Sequence, residues 1–350
     1  MAKKNKNKIL KLILLTILIL LLIGGYKFYD YYKIIYKPNV ELNTPDKYFY
    51  IYSNYNYNDV KKSLIKNHII IDENSFDWVA GKKHYKQNIK PGRYLIKNNI
   101  SNNKLINLLR SGEQKPVKVT FNNVRTLEQL AGKVSKYLEC DSSQIIDLLK
   151  NPETINKYGF NKYTMISMFI PNTYEFYWNT SATDFLKRMA KEYKKFWTDE
   201  RKQKATKINF SQSQVSTLAS IVEQETRKND EKPIVAGVYI NRIHKGIPLQ
   251  ADPTVIYAAG DFTIKRVLKK HLKIKSPYNT YINKGLPPGP ICIPSISSIN
   301  AVLNYKKHNY IYFCAKEDFS GYHNFARTLA EHNANARKYQ QKLRQLKIYK

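Results

Sequence analysis

The apolar and polar positions divide the chain into three zones. In the first, Ile9 to Ile23 is apolar except for Lys11 and Thr16, and Gly24 to Phe28 prolong the run. About 20 such residues coiled as a helix cover the roughly 30 Å of bilayer hydrocarbon, so a membrane-spanning helix is predicted over residues 9–28. The second zone reads as short strands followed by helices. Tyr48–Tyr52 and Gly92–Ile96 have strand character, Asn58 is placed to cap a helix through Leu64, and Ser101 to cap one carrying Leu105, Ile106, Leu108 and Leu109. Val117–Phe121 is a further strand, and Thr126 caps a helix with Leu130, Ala131, Val134 and Leu138. From about Asn122 onward helical spacing dominates. Three turn-rich stretches interrupt it, at 169–176, 276–281 and 285–291, and long ordered loops of this kind often build a site. A hairpin is expected from Tyr310–Ala315 and Tyr322–Phe325, then a basic helix from about Thr328 to Leu346. The fold class that follows is α+β, with an N-terminal transmembrane helix, a small strand–helix region and a larger helix-rich domain.

Charge narrows the partners. The 350 residues include 59 Lys and Arg against 27 Asp and Glu, a net charge of +32. Clustered bases would suggest nucleic acid, but here lysines are spread along the whole chain, which suits a solvated surface, an anionic membrane face or a wall polymer. Lys3, Lys4, Lys6 and Lys8 precede the apolar run and place it with the N-terminus inside. No A-x-A-like cleavage site follows it, so the anchor is read as retained rather than cleaved. The chain then divides into a cytoplasmic basic tail (1–8), the anchor (9–28), a juxtamembrane linker (29–46), the strand–helix region (47–121) and the main domain (122–350). An exported body has no nucleic acid to bind. Cys140, Cys292 and Cys314 form no C-x-x-C pair, so neither a disulfide framework nor a zinc site is expected, and no cofactor is implied.

The chemistry centres on Ser220-Ile-Val-Glu-Gln-Glu-Thr226. Ser211 with Gln214 makes a capping box, so a helix starts near residue 212. Val215, Leu218, Ala219 and Val222 recur at steps of three and four, and the next step reaches Glu225. Glu223 lies about 200° away from Glu225 around the helix, so the two carboxyls face differently. A carboxyl against apolar side chains resists ionisation, which is the state a general acid needs. A helix-end Glu paired with Arg227 or Lys228 is the structural alternative. Downstream, Asp252 reads as an N-cap with Pro253 at the first helical position. Gln250 suits either a sugar hydroxyl or the loop backbone. Asn279, Thr280 and Tyr281 suit either a sugar or a turn. Pro287, Pro288, Pro290 and Pro294 form a stiff wall. His323 and His332, lacking metal-ligand spacing, read as satisfied core histidines.

These stretches together resemble the endolytic murein transglycosylase (YceG-like) family. The resemblance rests on Leu218–Thr226, Leu249–Tyr257, Tyr278–Tyr281, Gly285–Ile291, Phe169–Phe176 and His323-Asn-Phe…Glu331-His-Asn333, in that family's order. It implies a LysM-like region at 47–121 and a transglycosylase domain at 122–350. By that likeness Glu225 is the catalytic acid; Gln250, Asn279, Thr280, Tyr281, Tyr257 and Glu223 are taken as hypothetical substrate holders. Asp252, Pro253, Pro287, Pro288, Gly289, His323 and Phe325 are structural supports. Asn172 stands where the family usually has Asp. The implied reaction cleaves the β-1,4 bond of peptidoglycan by the single acid Glu225, the sugar's own C6 hydroxyl closing a 1,6-anhydro ring. The implied partners are peptidoglycan strands, the lipid bilayer and the wall-synthesis machinery, on the outer side of the plasma membrane.

Overall fold

A computed structural model describes residues 2–348, with side chains from residue 8. The side chains of Lys3, Lys4 and Lys6 in the expected cytoplasmic tail, and residues 349–350, lie outside the described residues. The chain folds as two units, one reaching Val117 and including Phe176–Asn179, the other formed by Lys118–Glu175 and Thr180 onward.

The first unit begins with α1 (Ala2–Tyr36), a single 35-residue helix that is long and apolar enough to cross a membrane. The expected linker at 29–46 is helical as far as Tyr36. There the helix is already docked, since the Tyr31 ring stacks on Trp78 at 5.3 Å and Asn102 Nδ2 donates to the Ile34 carbonyl at 3.0 Å. Next comes β1 (Asp46–Ile51), then α2 (Tyr57–Lys66), α3 (Glu73–Lys82), β2 (Gly92–Lys97) and α4 (Asn102–Ser111). β1 and β2 pair antiparallel from Asp46↔Lys97 to Ile51↔Gly92. The separate strand–helix repeats expected from sequence are therefore one sheet whose two strands enclose two helices. Phe49, Ile51, Val60, Leu64, Phe76, Tyr94, Ile96, Leu105 and Leu109 form its core. Asn56, not Asn58, caps α2. Its side chain accepts the N–H groups of Asn58 and Asp59 while Asp59 answers to the Asn56 N–H, a reciprocal box that Asn58, inside the first turn, has no geometry to make.

The boundary between units falls within β3 (Val117–Phe121), which pairs with β4 (Asn172–Phe176). The stretch 169–176, expected as turn, thus ends as a strand, because Tyr174 alternates inward and stacks on Phe121 at 5.5 Å. Helices α5 (Leu127–Val134), α6 (Ser142–Lys150), α7 (Pro152–Lys157), α8 (Ala182–Phe196) and α9 (Asp199–Lys207) lead to α10 (Gln212–Glu225). After it come α11 (Lys232–His244), α12 (Asp252–Ala259), α13 (Ile296–Leu303), the antiparallel hairpin β5 (Tyr312–Ala315) and β6 (His323–Ala326), and α14 (Leu329–Gln345). Helix α11 follows Glu231, whose side chain makes no cap. The architecture is α+β.

Helix α10 is the axis of the second unit, packed by α11, α12 and α13. The sequence predicts an apolar stripe. Instead every residue from Val215 to Val222 is buried, hydroxyls included. Thr217 Oγ1 donates to the Ser213 carbonyl at 2.7 Å and Ser220 Oγ to the Thr217 carbonyl at 2.7 Å, so these two enter the core at little penalty, whereas the Ser216 hydroxyl finds no partner among the described residues.

Candidate active site

The two acids at the end of α10 differ in company more than in depth. Glu223 Oε2 accepts from Lys232 Nζ at 3.1 Å and from the hydroxyls of Ser295 and Ser298, at the start of α13. Burial alone would raise this carboxyl, but the hydroxyls and the ammonium outweigh it and hold its pKa below the usual value. Glu223 is an ionised clamp joining α10, α11 and α13, and it does not line the cavity beside Glu225.

Among the described residues no cation pairs with Glu225. Its Oε1 accepts one hydrogen bond, from Tyr239 Oη of α11 at 2.7 Å. Protein encloses the carboxyl on most sides while one face meets a cavity of about 380 Å³. Enclosure pushes its pKa from 4.5 up to about 7. The Tyr239 bond works against that rise, and the negative charge of Asp252 adds to it. Behind it, buried Thr226 donates to Glu231 Oε2 at 3.2 Å, and the same carboxylate takes the His323 N–H at 2.7 Å and faces His323 Nδ1 at 2.9 Å. This chain of bonds, reaching β6, keeps the end of α10 from fraying.

Around the cavity stand Tyr239 and Arg242 of α11, Gln250 and Asp252 ahead of and at the start of α12, Tyr281, Tyr312 of β5 and His332 of α14. Arg242 is buried and spends its donors locally. Nε and Nη2 hold the Pro248 carbonyl at 2.9 and 2.7 Å, Nη1 the Ile311 carbonyl at 2.9 Å, and Nη2 also Gln250 Oε1 at 2.6 Å. It thereby fastens the turn before α12 to the hairpin strand. Gln250 sits at φ 53°, a left-handed backbone that non-glycine residues seldom adopt, and this turns its side chain to Arg242 at the cavity wall.

The structure separates the remaining candidates. Tyr281 reaches the cavity, where its Oη donates to Asp252 Oδ1 at 2.6 Å. Asn279 and Thr280 do not. Asn279 is fully buried and donates to the Leu272 and Ile274 carbonyls at 3.0 and 2.9 Å; Thr280 Oγ1 accepts the Ala251 N–H at 3.0 Å and pairs with Thr254. Both shape the turns that present Asp252 and Tyr281. Tyr257 lines a different cavity with Tyr163 and Tyr278. Asp252 is not the N-cap; Ala251 holds that position, Pro253 is second in the helix, and the Asp252 carboxylate is given to Tyr281 instead. Pro287 and Gly289 are buried and Pro288 half-buried, and the segment after them meets α10. Ile291 N–H donates to Ser220 Oγ at 3.0 Å there, and a Cβ on Gly289 would come within 2.1 Å of the Tyr163 carbonyl oxygen. Phe325 packs on the core. His332 is not a satisfied core histidine. It faces the cavity, stacks on Tyr312 at 5.3 Å, and its Nδ1 has no partner; burial lowers its pKa, so it is neutral. Asn172 is exposed and accepts the Thr173 N–H. Tyr239, Arg242, Tyr312 and His332 escape the sequence reading. Tyr239 alone leaves a signal there, a phenol tip in an otherwise apolar helix that must find a partner.

The descriptive model of the YceG-like family matches residues 49–338. A Bacillus subtilis (strain 168) protein named endolytic murein transglycosylase is 32% identical over 319 residues, 87% of this chain and 85% of that one. A Streptococcus pneumoniae protein of the same name is 26% identical over 285 residues, 73% of this chain and half of its own length. A crystal structure of a yceG-like protein from Listeria monocytogenes superposes with a TM-score of 0.56 at 27% identity, covering 83% of this chain and 98% of that one. The chain belongs to the YceG-like family.

Proposed function

We propose that this chain is a membrane-anchored endolytic transglycosylase. In this reading it cuts the β-1,4 bond between N-acetylmuramic acid and N-acetylglucosamine within peptidoglycan strands, on the outer side of the membrane, and leaves 1,6-anhydromuramoyl ends. The observation that carries the reading is Glu225, a carboxyl protonated near neutrality, bonded to one phenol and facing a cavity. Protonated Glu225 gives its proton to the glycosidic oxygen as the bond from C1 to that oxygen breaks. The C6 hydroxyl of the same sugar then bonds to C1, and its proton returns to Glu225. Attacking atom and leaving group belong to one substrate, so a single proton shuttle closes the cycle. Tyr239 holds the carboxyl in one orientation through both transfers. The apolar stretch of α1 would hold the body at the bilayer and so beside newly made strands.

The test uses the full chain in detergent with polymerised, uncrosslinked glycan strands, the products weighed by mass spectrometry. Anhydro ends from the native chain and none from Glu225→Gln are expected. Reducing ends would mean that water is the nucleophile and would make the protein a hydrolase. Equal products from both chains would remove Glu225 from the chemistry.

A further inference from the structure

The cavity holds a second carboxylate that the single-acid reaction does not use. Asp252 is the first residue of α12, one place past the N-cap position, which Ala251 holds. Its hydrogen bond comes from Tyr281 Oη, at 2.6 Å. Among the described residues no Lys, Arg or His forms an ion pair with it. Arg242, whose guanidinium lines the same cavity, is committed to two carbonyls and Gln250. The turn that delivers Asp252 is built with unusual care: Gln250 is held in a left-handed conformation, its N–H donates to the Thr280 carbonyl at 3.1 Å, and the Ala251 N–H to buried Thr280 Oγ1. Through Thr280 the same turn positions the neighbouring Tyr281. Asp252 itself is exposed where it lines the cavity, open to whatever fills it.

We propose that Asp252, oriented by Tyr281, is a second catalytic carboxylate of this cavity, placed to stabilise the positive charge that develops at C1 and the ring oxygen as the glycosidic bond breaks. It rests on the transglycosylase reading of Glu225. Asp252 neither gains nor loses a proton. It stays charged while Glu225 first donates and then recovers its own. Substrate filling the cavity displaces water from between Asp252 and the sugar, so the attraction strengthens where the cation forms. The same charge opposes ionisation of Glu225, which faces Tyr239 and Arg242 from α11, Asp252 from α12, Tyr281 from its turn, Tyr312 from β5 and His332 from α14.

The experiment compares native chain, Asp252→Asn, Tyr281→Phe and the double variant, all full length, by kcat, KM and pH–rate profile for anhydro-end release. Asp252→Asn is expected to lower kcat about 100-fold, with KM changed only a few-fold, as for loss of one preorganised electrostatic group. The alkaline limb should also move to lower pH. Tyr281→Phe should lower kcat by itself and add little in the Asp252→Asn background. Native kcat in Asp252→Asn, or equal and additive losses from the two changes, would overturn the proposal. Should Asp252→Asn not fold, a native rate and profile in Tyr281→Phe would overturn it alone. An inactive Glu225→Gln beside a fully active Asp252→Asn removes only Asp252, whereas an active Glu225→Gln removes the parent reading.

Discussion

Replacing Glu225 with glutamine is expected to stabilise the protein above neutral pH while ending turnover. In the folded chain this carboxyl loses its proton near 7, against an ordinary 4.5. Because the folded value is raised, the folded state holds a proton that the unfolded chain has already released between those two pH values. Stability therefore falls as pH climbs through that window and is lowest above it. The full displacement corresponds to about 3 kcal/mol at pH 8. One face of the carboxyl meets the cavity, so about 2 kcal/mol is the fairer figure, a rise of roughly 4–8 °C in melting temperature. Glutamine keeps the shape, and its carbonyl still accepts from Tyr239. Calorimetry of native and variant chains at pH 4, 6 and 8 reads the difference directly. The two should coincide at pH 4, where both groups are neutral, and separate as pH rises. A gap of equal size at every pH, or a less stable variant at pH 8, would show that Glu225 ionises as an ordinary surface acid and is no proton reservoir.

Tyr239→Phe removes the one bond that favours the ionised carboxyl, so the alkaline limb of kcat/KM should move upward by about one pH unit, opposite to Asp252→Asn. A limb that stays put would show that the phenol does not tune the acid. Glu223→Gln strands the buried Lys232 ammonium, and denaturant titration should register a loss of about 3–5 kcal/mol while the alkaline limb stays in place. An unchanged midpoint would contradict the clamp. Gly289→Ala drives a methyl into the Tyr163 backbone carbonyl, which cannot swing aside as a side chain could, and should destabilise by about 2–3 kcal/mol or more, visible as rapid limited proteolysis.

What could be read in the sequence was whatever local geometry decides. The Ser211–Gln214 box and the start of α10, the Thr126 cap and the β5–β6 hairpin all depend on neighbours a few residues apart. Misreadings arose where a distant partner competes for a local group. Asp252 would cap α12 were Tyr281, 29 residues on, not there to claim it. Glu223 seemed a candidate for sugar because Ser295 and Ser298, its partners in the fold, lie 72 and 75 residues away. Asn279 and Thr280 have the chemistry of ligand binders, and nothing local tells that from the chemistry of a buried turn. The family was legible because whole motifs in order carry more information than any one residue in them.

At the other end of the chain, α1 runs without a break from its apolar stretch into its seat on α3 and α4. The six residues of helix from Phe28, where the anchor ends, to Ile34 measure about 9 Å. Once the apolar stretch lies in lipid, the helix is a stanchion and not a leash, and the first unit stands at a set height over the headgroups. Wall material farther out would pass beyond its reach. Lengthening the stalk by whole helical turns would raise that height in known steps.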